Sequence, residues 1–232
     1  MEPTNLKEHL TIHDAKFIEQ YTFSCGHRAP IFEVSTMHAL NQIIGHAKFN
    51  NRGYGHVFYR GQCELYETLL PSLMRNNTST KSPILINTAT KSIAQQLQKV
   101  INDKGLSNEL QINNDNEKVK KIKIEAILQH YGAPTRFIDL VDNHWIALWM
   151  GLYRLEKIKN LLTYYRYVER TIPYIDAIPL NLRMIPEKEI YQYILLVAFP
   201  SGEPKAPGIY ETDKHIIVDL RQALPSTFLR PH

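Results

Sequence analysis

The segment from residue 128 to residue 149 constrains the fold of this chain more than any other part of the sequence. A helical pattern ends at Gly132, because glycine favours a helix C-terminus, and Pro134 then marks a turn. The turn leads into a predicted short strand over 135–139, and a second, very apolar helix follows over about residues 143–158. The strand carries three polar residues, which are Thr135, Arg136 and Asp139. Polar side chains are therefore held between two rigid elements, where binding or catalytic sites are commonly built.

The composition predicts a folded, soluble protein. With 232 residues, of which 44% are apolar and 10% aromatic, the chain can fill a real core as a single domain. Its net charge of +4 comes from interspersed basic and acidic residues, so it suits a nucleotide as well as a nucleic acid. Cys25 and Cys63 show no metal-like spacing, which argues against a structural zinc site and a disulfide scaffold. No apolar run reaches the roughly 18 residues that span a bilayer, and we expect a cytoplasmic protein without a membrane partner.

Three further segments have the apolar spacing of amphipathic helices. They cover about residues 36–48, 89–101 and 117–131. The first helix would begin at Ser35 or Thr36 as its cap. Residues 1–50 as a whole are expected to form a helical lead to the domain. In the apolar helix after Asp142, the spacing predicts four large residues in the core, which are Trp145, Leu148, Trp149 and Leu152.

The remaining elements are predicted to be strands and turns. Residues 56–59 are aromatic and β-branched, as in a buried strand, and this strand ends at residues 60–62. The phrase Leu69-Leu70-Pro71-Ser72-Leu73-Met74-Arg75 predicts a turn that buries Leu73 and presents Ser72 and Arg75. Apolar residues 193–199 predict a strand buried on both faces, and residues 215–220 another.

The order of these elements predicts the fold class. Helices come first and strands later, which favours an α+β domain with a mixed or antiparallel central sheet and packed helices. The core is expected to comprise about residues 51–158 and 190–232. Between these two parts, residues 159–189 are rich in tyrosine and proline and predict an excursion from the core.

Three ordered blocks of sequence lie between Val57 and Gly151. They are Phe58-Tyr59-Arg60-Gly61-Gln62; Leu70-Pro71-Ser72-Leu73 with Arg75; and His130-Tyr131-Gly132-Ala133-Pro134-Thr135-Arg136 with Asp139. Together they resemble the FRG domain, a family named for its Phe/Tyr-Arg-Gly phrase. The order and compatible spacing of the blocks make this resemblance specific, whereas Tyr-Arg-Gly alone would be weak.

The FRG domain is similar, more distantly, to the ADP-ribosyltransferase fold. In that fold an arginine or histidine on an early strand grips NAD, a Ser/Thr-rich strand precedes a helix that lines the nicotinamide pocket, and a late glutamate holds the ribose. By this resemblance Arg60 is the early arginine, and residues 135–139 with the helix at 143–158 are the central strand and helix. The resemblance therefore implies an ADP-ribosyltransferase-like fold that binds NAD as its substrate.

The chemistry of NAD cleavage assigns roles to the residues of the three blocks. Breaking the nicotinamide bond passes through an oxocarbenium-like sugar, so the site needs a pyrophosphate clamp, an aromatic surface and a carboxylate near the ribose. Arginines supply bidentate phosphate contacts, tyrosines can stack, and Asp139 is the nearest carboxylate. The candidate catalytic residues are Arg60, His130 and Asp139. The candidate cofactor-binding residues are Tyr59, Arg60, Gly61, Gln62, Ser72, Arg75, Tyr131, Thr135 and Arg136. No metal site is predicted.

Structural roles explain several of these residues equally well. Arg60 could pair with Asp139, and His130 could bond carbonyl groups at a helix end. The hydroxyl of Ser72 could serve only the local backbone. The tyrosines and arginines of residues 164–183 suit either a stacking surface for single-stranded nucleic acid or a cover over the core.

The chain departs from the transferase pattern in the late glutamate. No Gln-x-Glu or Glu-x-Glu phrase lies on a recognisable late strand, since Glu187-x-Glu189 follows Pro186 and precedes the predicted strand at 193–199. The sequence thus supports two hypotheses. The first is an NAD-dependent ADP-ribosyltransferase or NAD glycohydrolase, such as a toxin or phage-defence effector that modifies a protein or nucleic acid. The second is a non-catalytic module that recognises phosphate, nucleotide or nucleic acid.

Overall fold

The computed structural model describes residues 2–75, 110–130, 133–159, 163–169 and 192–225, together with residues 95, 99, 102, 105 and 108. These residues combine helices with small antiparallel sheets, so the predicted α+β class is confirmed. Most of the predicted helix at 89–101 and most of the segment at 159–189 lie outside the described residues. The chain divides into two units, residues 1–68 with 139–199 and residues 69–138 with 200–232.

The first unit begins with a β-hairpin where a helical lead was predicted. Strands β1 (Ala15–Thr22) and β2 (Arg28–Val34) pair antiparallel, with a bulge between Phe17 and Glu19. The connecting turn contains Gly26 at a φ of +83°, a conformation that glycine adopts without steric cost. The predicted helical lead is therefore wrong for residues 15–34, which form a hairpin. Hydrogen bonds between the two strands determine the structure of this segment.

Helix α1 (Met37–Asn51) confirms the predicted helix and its cap. The hydroxyl of Thr36 accepts a hydrogen bond from the backbone N–H of Ala39 at 3.3 Å, which satisfies one of the unpaired donors at the helix start. The buried side of α1 includes Ile43 and Ile44. Ile44 packs with Val57 of the strand that follows, β3 (Gly55–Gln62).

Helix α4 (His144–Leu152) lies directly against β3. A Cβ placed on Gly61 of β3 would come within 1.6 Å of the carbonyl oxygen of Ala147 and 2.7 Å of the backbone nitrogen of Gly151. Only glycine therefore permits this approach of strand and helix. The side of α4 that faces β3 carries small residues, Ala147 and Gly151, both buried.

This close approach overturns the predicted orientation of α4. Trp145 and Trp149 were expected in the core, but their side chains are 52% and 40% exposed. The helical spacing was read from the large residues, whereas the strand selects the small ones as the packed face. Helix α4 is also shorter than the predicted 143–158 and is capped by Asn143, whose side chain accepts from the backbone of Trp145 at 2.9 Å.

After α4 the chain forms a second hairpin. Strand β4 (Tyr153–Lys159) pairs antiparallel with β5 (Thr163–Glu169) in unbroken register. Residues 153–158, which were predicted to extend the helix, form a strand instead. They pair with β5, which is rich in tyrosine, in a ladder of seven residue pairs. Strand β6 (Tyr193–Pro200) pairs with β3, in the predicted place, although its side chains are only partly buried.

The second unit contains five of the remaining elements around one apolar cluster. Helix α3 (Glu117–His130) agrees with the predicted helix and contributes Val119 and Ile122. Short strands β7 (Glu203–Ala206), β8 (Ile209–Glu211) and β9 (Ile216–Val218) form an antiparallel sheet, with Ile209 at 1% exposure. Helix α5 (Leu220–Ala223) completes the cluster, and helix α2 (Ser72–Arg75) replaces the predicted turn at residues 69–75 and buries Leu73 as expected.

The predicted strand at 135–139 is not a strand. These residues run as irregular chain, and ladder pairing is restricted to Val141, which bridges to Tyr59. The hydrogen bonds of Thr135 and Arg136 go instead to side chains, as described below. In place of one central sheet, the described residues form three two-stranded sheets and one three-stranded sheet. Within these same residues, no helix combines the length and apolarity needed to cross a bilayer.

Candidate functional site

The end of β3 holds the first block of predicted site residues. Tyr59 is fully buried, and its backbone exchanges two hydrogen bonds with Val141, at 2.8 and 2.9 Å. The next side chain is that of Arg60, which donates from NH1 to the carbonyl oxygen of Asp139 at 2.8 Å. Residues 139–141 therefore run along β3 and orient a guanidinium group that is 79 residues away in sequence.

Three buried polar atoms in this region have no hydrogen-bond partner among the described residues. They are Tyr59 Oη, Gln62 Oε1 and His144 Nε2. The Tyr59 and His144 rings meet edge to face with centroids 6.0 Å apart, and Lys48 Nζ lies 5.3 Å from the centroid of the Tyr59 ring. A buried polar atom without a partner costs about 1–3 kcal/mol, so such atoms call for an explanation.

The second and third blocks join each other within the second unit. Ser72 Oγ accepts from the backbone N–H of Thr135 at 3.1 Å, and the backbone N–H of Leu73 donates to the carbonyl oxygen of Thr135 at 3.1 Å. The Thr135 hydroxyl, fully buried, also bonds Gln129 Oε1 and accepts from the backbone of Phe137 at 3.2 Å. Ser72 and Leu73, at the start of α2, thus hold Thr135 through both its backbone N–H and its carbonyl oxygen.

Arg136 makes an ion pair with a residue that the sequence did not single out. Glu125, on α3, is fully buried and accepts from Arg136 Nε at 3.1 Å and from the Arg136 backbone N–H at 2.9 Å. The hydrogen bond to Glu125 is the main reason that the pKa of the Arg136 guanidinium is raised above its ordinary value. The arginine side chain is half exposed, whereas the carboxylate is enclosed. This pair ties Arg136 to α3 and contributes to the fold of the second unit, and the role of Arg136 in cofactor binding stays a prediction.

The structure distributes the predicted residues over the two units. Tyr59, Arg60, Gly61, Gln62 and Asp139 belong to the first unit, and Ser72, Arg75, His130, Thr135 and Arg136 to the second. Asp139 and His130 are exposed, whereas Tyr131 and the side chain of Arg75 lie outside the described residues. A single cleft shared by Arg60 and Arg136 stays a prediction.

Sequence reasoning missed His144 and Glu125. His144 follows the capping residue Asn143 as the first residue of α4, a position that a search for helix starts could have found. Glu125 lies on the core side of α3 among isoleucines, and a carboxylate on an apolar helix face signals a buried partner.

Two other features of the described residues lie apart from the three blocks. A shallow cavity of about 280 Å³ in the first unit is lined by residues of the segment 6–11 and by His46 and Asn50 of α1. No group of three or more histidine, cysteine, aspartate or glutamate residues suited to a metal ion occurs in the described part of the chain.

The family comparison agrees with the resemblance drawn from the three blocks. Residues 55–159 match the FRG domain, and this range contains every predicted site residue as well as His144 and Glu125. No curated protein and no solved structure was found to match the chain.

Proposed function

Since the chain contains an FRG domain over residues 55–159, we propose that this domain binds NAD at the end of β3 and cleaves it, as an ADP-ribosyltransferase or an NAD glycohydrolase. The supporting observation is a set of buried polar atoms on β3 and at the start of α4. Tyr59 Oη, Gln62 Oε1 and His144 Nε2 lack partners among the described residues, and polar groups of a ligand would satisfy them.

Arg60 is the proposed phosphate ligand. Its bond to the Asp139 carbonyl holds the guanidinium in one orientation, and an oriented guanidinium loses less entropy when it grips a pyrophosphate. Tyr59 is fully buried between α1 and α4, so in this proposal it offers its hydroxyl group and not its ring face. Asp139 is exposed beside Arg60 and is the carboxylate assigned to the ribose hydroxyls.

The proposed reaction breaks the bond between nicotinamide and C1′ of the ribose. Nicotinamide leaves with the bonding electron pair, and water or a nucleophile of a macromolecular target attacks C1′ and loses a proton. A carboxylate at the ribose stabilises the positive charge that develops on the sugar. The products are nicotinamide and either free or transferred ADP-ribose.

Incubation of the purified protein with NAD tests this proposal. We expect time-dependent release of nicotinamide, measured by liquid chromatography, and loss of that release in Arg60→Ala. Arg52→Ala is the matched control, because Arg52 also donates from NH1 to a main-chain carbonyl at 2.8 Å but lies at the end of α1. If the wild-type protein releases no nicotinamide and NAD gives no thermal shift, the proposal is wrong.

A second candidate is a phosphate or nucleic-acid recognition module without turnover. The neutralised Arg136 and the clamped Thr135 favour it, because the second and third blocks then serve the fold and only Arg60 is assigned to a ligand. This candidate predicts salt-dependent binding of NAD, of ADP-ribose or of an oligonucleotide, together with an unchanged amount of NAD after prolonged incubation.

The cellular role that we propose for a catalytic FRG domain is that of a toxin or phage-defence effector. Depletion of NAD or modification of an essential target stops growth. Induced expression in a bacterial host is therefore expected to arrest growth for the wild-type chain and not for Arg60→Ala at equal protein level. Equal growth of both strains would contradict this role.

A further inference from the structure

The outer side of α4 presents an apolar surface that the proposed function does not use. The surface consists of four exposed residues of α4 and one of β5 beside them, which are Trp145, Ile146, Trp149, Met150 and Tyr167. We call this surface the α4 face. Its side chains are 36–58% exposed. Trp149 stacks on Tyr153 with ring centroids 5.6 Å apart and meets Tyr167 edge to face at 4.6 Å. The large aromatic side chains are thus ordered next to one another on the surface.

This exposure follows from the packing of α4 on β3. The small residues Ala147 and Gly151 occupy the face against the strand, so the large residues of a helix with the sequence HWIALWMGL must point outward. Helix α4 contains no lysine, arginine, aspartate or glutamate. A contiguous apolar surface of this kind marks an interaction site on a soluble domain.

We propose that the α4 face is the contact between two copies of this chain. Tryptophan, tyrosine and methionine are enriched, and charged residues depleted, in the cores of protein interfaces. Single-stranded nucleic acid instead requires a basic groove around its stacking residues, and α4, which supplies four of the five residues of the face, carries no basic residue except His144 at its first position.

The geometry of the α4 face suits a copy of itself. Residues 145 and 149 form one ridge, and residues 146 and 150 form a second ridge parallel to it, because positions four apart lie on the same side of a helix. Ridges of this type interdigitate with those of an identical helix crossing at about −50°. A two-fold axis through the groove between the ridges would place each tryptophan ridge against the other copy.

The size of the face fits a modest, reversible dimer. Aromatic side chains bury about 150–250 Å² each, so the three half-exposed aromatic residues, together with Ile146 and Met150, offer on the order of 400–500 Å² per protomer. Two copies then bury about 900 Å² of apolar surface, close to the roughly 1,000 Å² needed for a specific interface before any polar rim is added. We therefore expect dissociation in the micromolar range.

Both tryptophans of the chain lie on the α4 face, so intrinsic fluorescence reports on it directly. Sedimentation velocity of the full chain between about 1 and 200 µM, a range that spans the expected mass-action transition, should show a monomer that converts to a dimer. Over the same range, tryptophan emission should shift to shorter wavelength and quenching by acrylamide should fall. A protein that stays monomeric, or whose tryptophans are equally shielded at all concentrations, would overturn the proposal.

Single substitutions locate the contact. Trp145→Glu should raise the dissociation constant at least tenfold, because it places two charges close to the two-fold axis. Phe49→Glu is the matched control, since Phe49 is 62% exposed on α1 and should leave the dimer unchanged. Circular dichroism confirms folding, and Ile146→Glu repeats the test if Trp145→Glu does not fold. A dimer that survives both α4 substitutions, or tryptophan shielding that appears only when single-stranded DNA is added, would contradict a self-contact.

Discussion

Gly61→Ala tests the packing of strand β3 on helix α4, which positions Arg60. A Cβ at residue 61 would lie 1.6 Å from the carbonyl oxygen of Ala147, 2.6 Å from its carbonyl carbon and 2.7 Å from the nitrogen of Gly151. All three are backbone atoms, so no side-chain rotation can relieve the overlap. The helix must move away from the strand as a body.

The cost of this movement exceeds that of an ordinary added methyl group. Overpacking a core costs about 1–3 kcal/mol when side chains can adjust, and we expect Gly61→Ala to cost about 3 kcal/mol or more of unfolding free energy. Urea denaturation followed by circular dichroism measures it. The same experiment with NAD present should show weaker binding, because the displaced helix carries His144.

Gly45→Ala is the matched control for the glycine substitution. Gly45 lies inside α1, and a Cβ there would have nothing within 4 Å. The change should stabilise the protein by about 0.5–1 kcal/mol through helix propensity. The reasoning is refuted if Gly61→Ala unfolds within about 0.5 kcal/mol of the wild type, the range expected for a surface substitution.

Three further predictions concern the second unit. Glu125→Gln removes the buried carboxylate that pairs with Arg136 and should lower the unfolding free energy by about 2 kcal/mol. Glu64→Gln, at an exposed position, is the control, and equal losses in both variants would contradict the buried pair. Ser72→Ala removes the acceptor of a main-chain N–H and should cost about 1 kcal/mol in urea denaturation, and no measurable loss would show that the clamp is dispensable. The hydrogen bond from Lys118, at 2.6 Å, holds the pKa of Glu211 below its ordinary 4.5. Because this pKa is depressed on folding, the stabilisation is present above pH 4.5 and is lost as the pH falls through the folded pKa. Lys118→Ala should therefore raise the pKa of Glu211 in an NMR titration, and an unchanged value would reject the assigned cause.

Elements with strong local signals were predictable from the sequence. Helices α1 and α3 show apolar spacing over about four turns, and the cap at Thr36 is a local side-chain contact. The strand β3 has aromatic and β-branched residues bounded by glycine. In these cases the residues that decide the structure are neighbours in sequence.

The errors come from contacts between distant residues. The orientation of α4 depends on Gly61, 86 positions before Ala147, whose missing side chain admits the helix backbone. Residues 135–139 read as a strand, but Ser72 and Glu125 take the hydrogen bonds that a ladder would use. The β1–β2 hairpin depends on pairing across a turn, and its alternation is interrupted by a bulge.

The family match was predictable from the three blocks, but the surroundings of their residues were not. The three blocks identified Arg60, Ser72, Thr135 and Arg136, all within the FRG match. The sequence could not assign Arg136 to Glu125, because a charge pair requires knowledge of which helix face is buried. The buried strand predicted at 56–59 agrees with the full burial of Tyr59, and this burial transfers the proposed role of Tyr59 from the ring to the hydroxyl group.

The binding of NAD to the wild-type chain and its Arg60 variants, measured by isothermal titration calorimetry, tests the central claim most directly. The account predicts saturable binding by the wild-type protein and by Arg52→Ala, and at least tenfold weaker binding by Arg60→Ala, with circular dichroism showing all three folded. Equal affinity of Arg60→Ala and the wild type, or no heat from any of the three folded proteins, would contradict it.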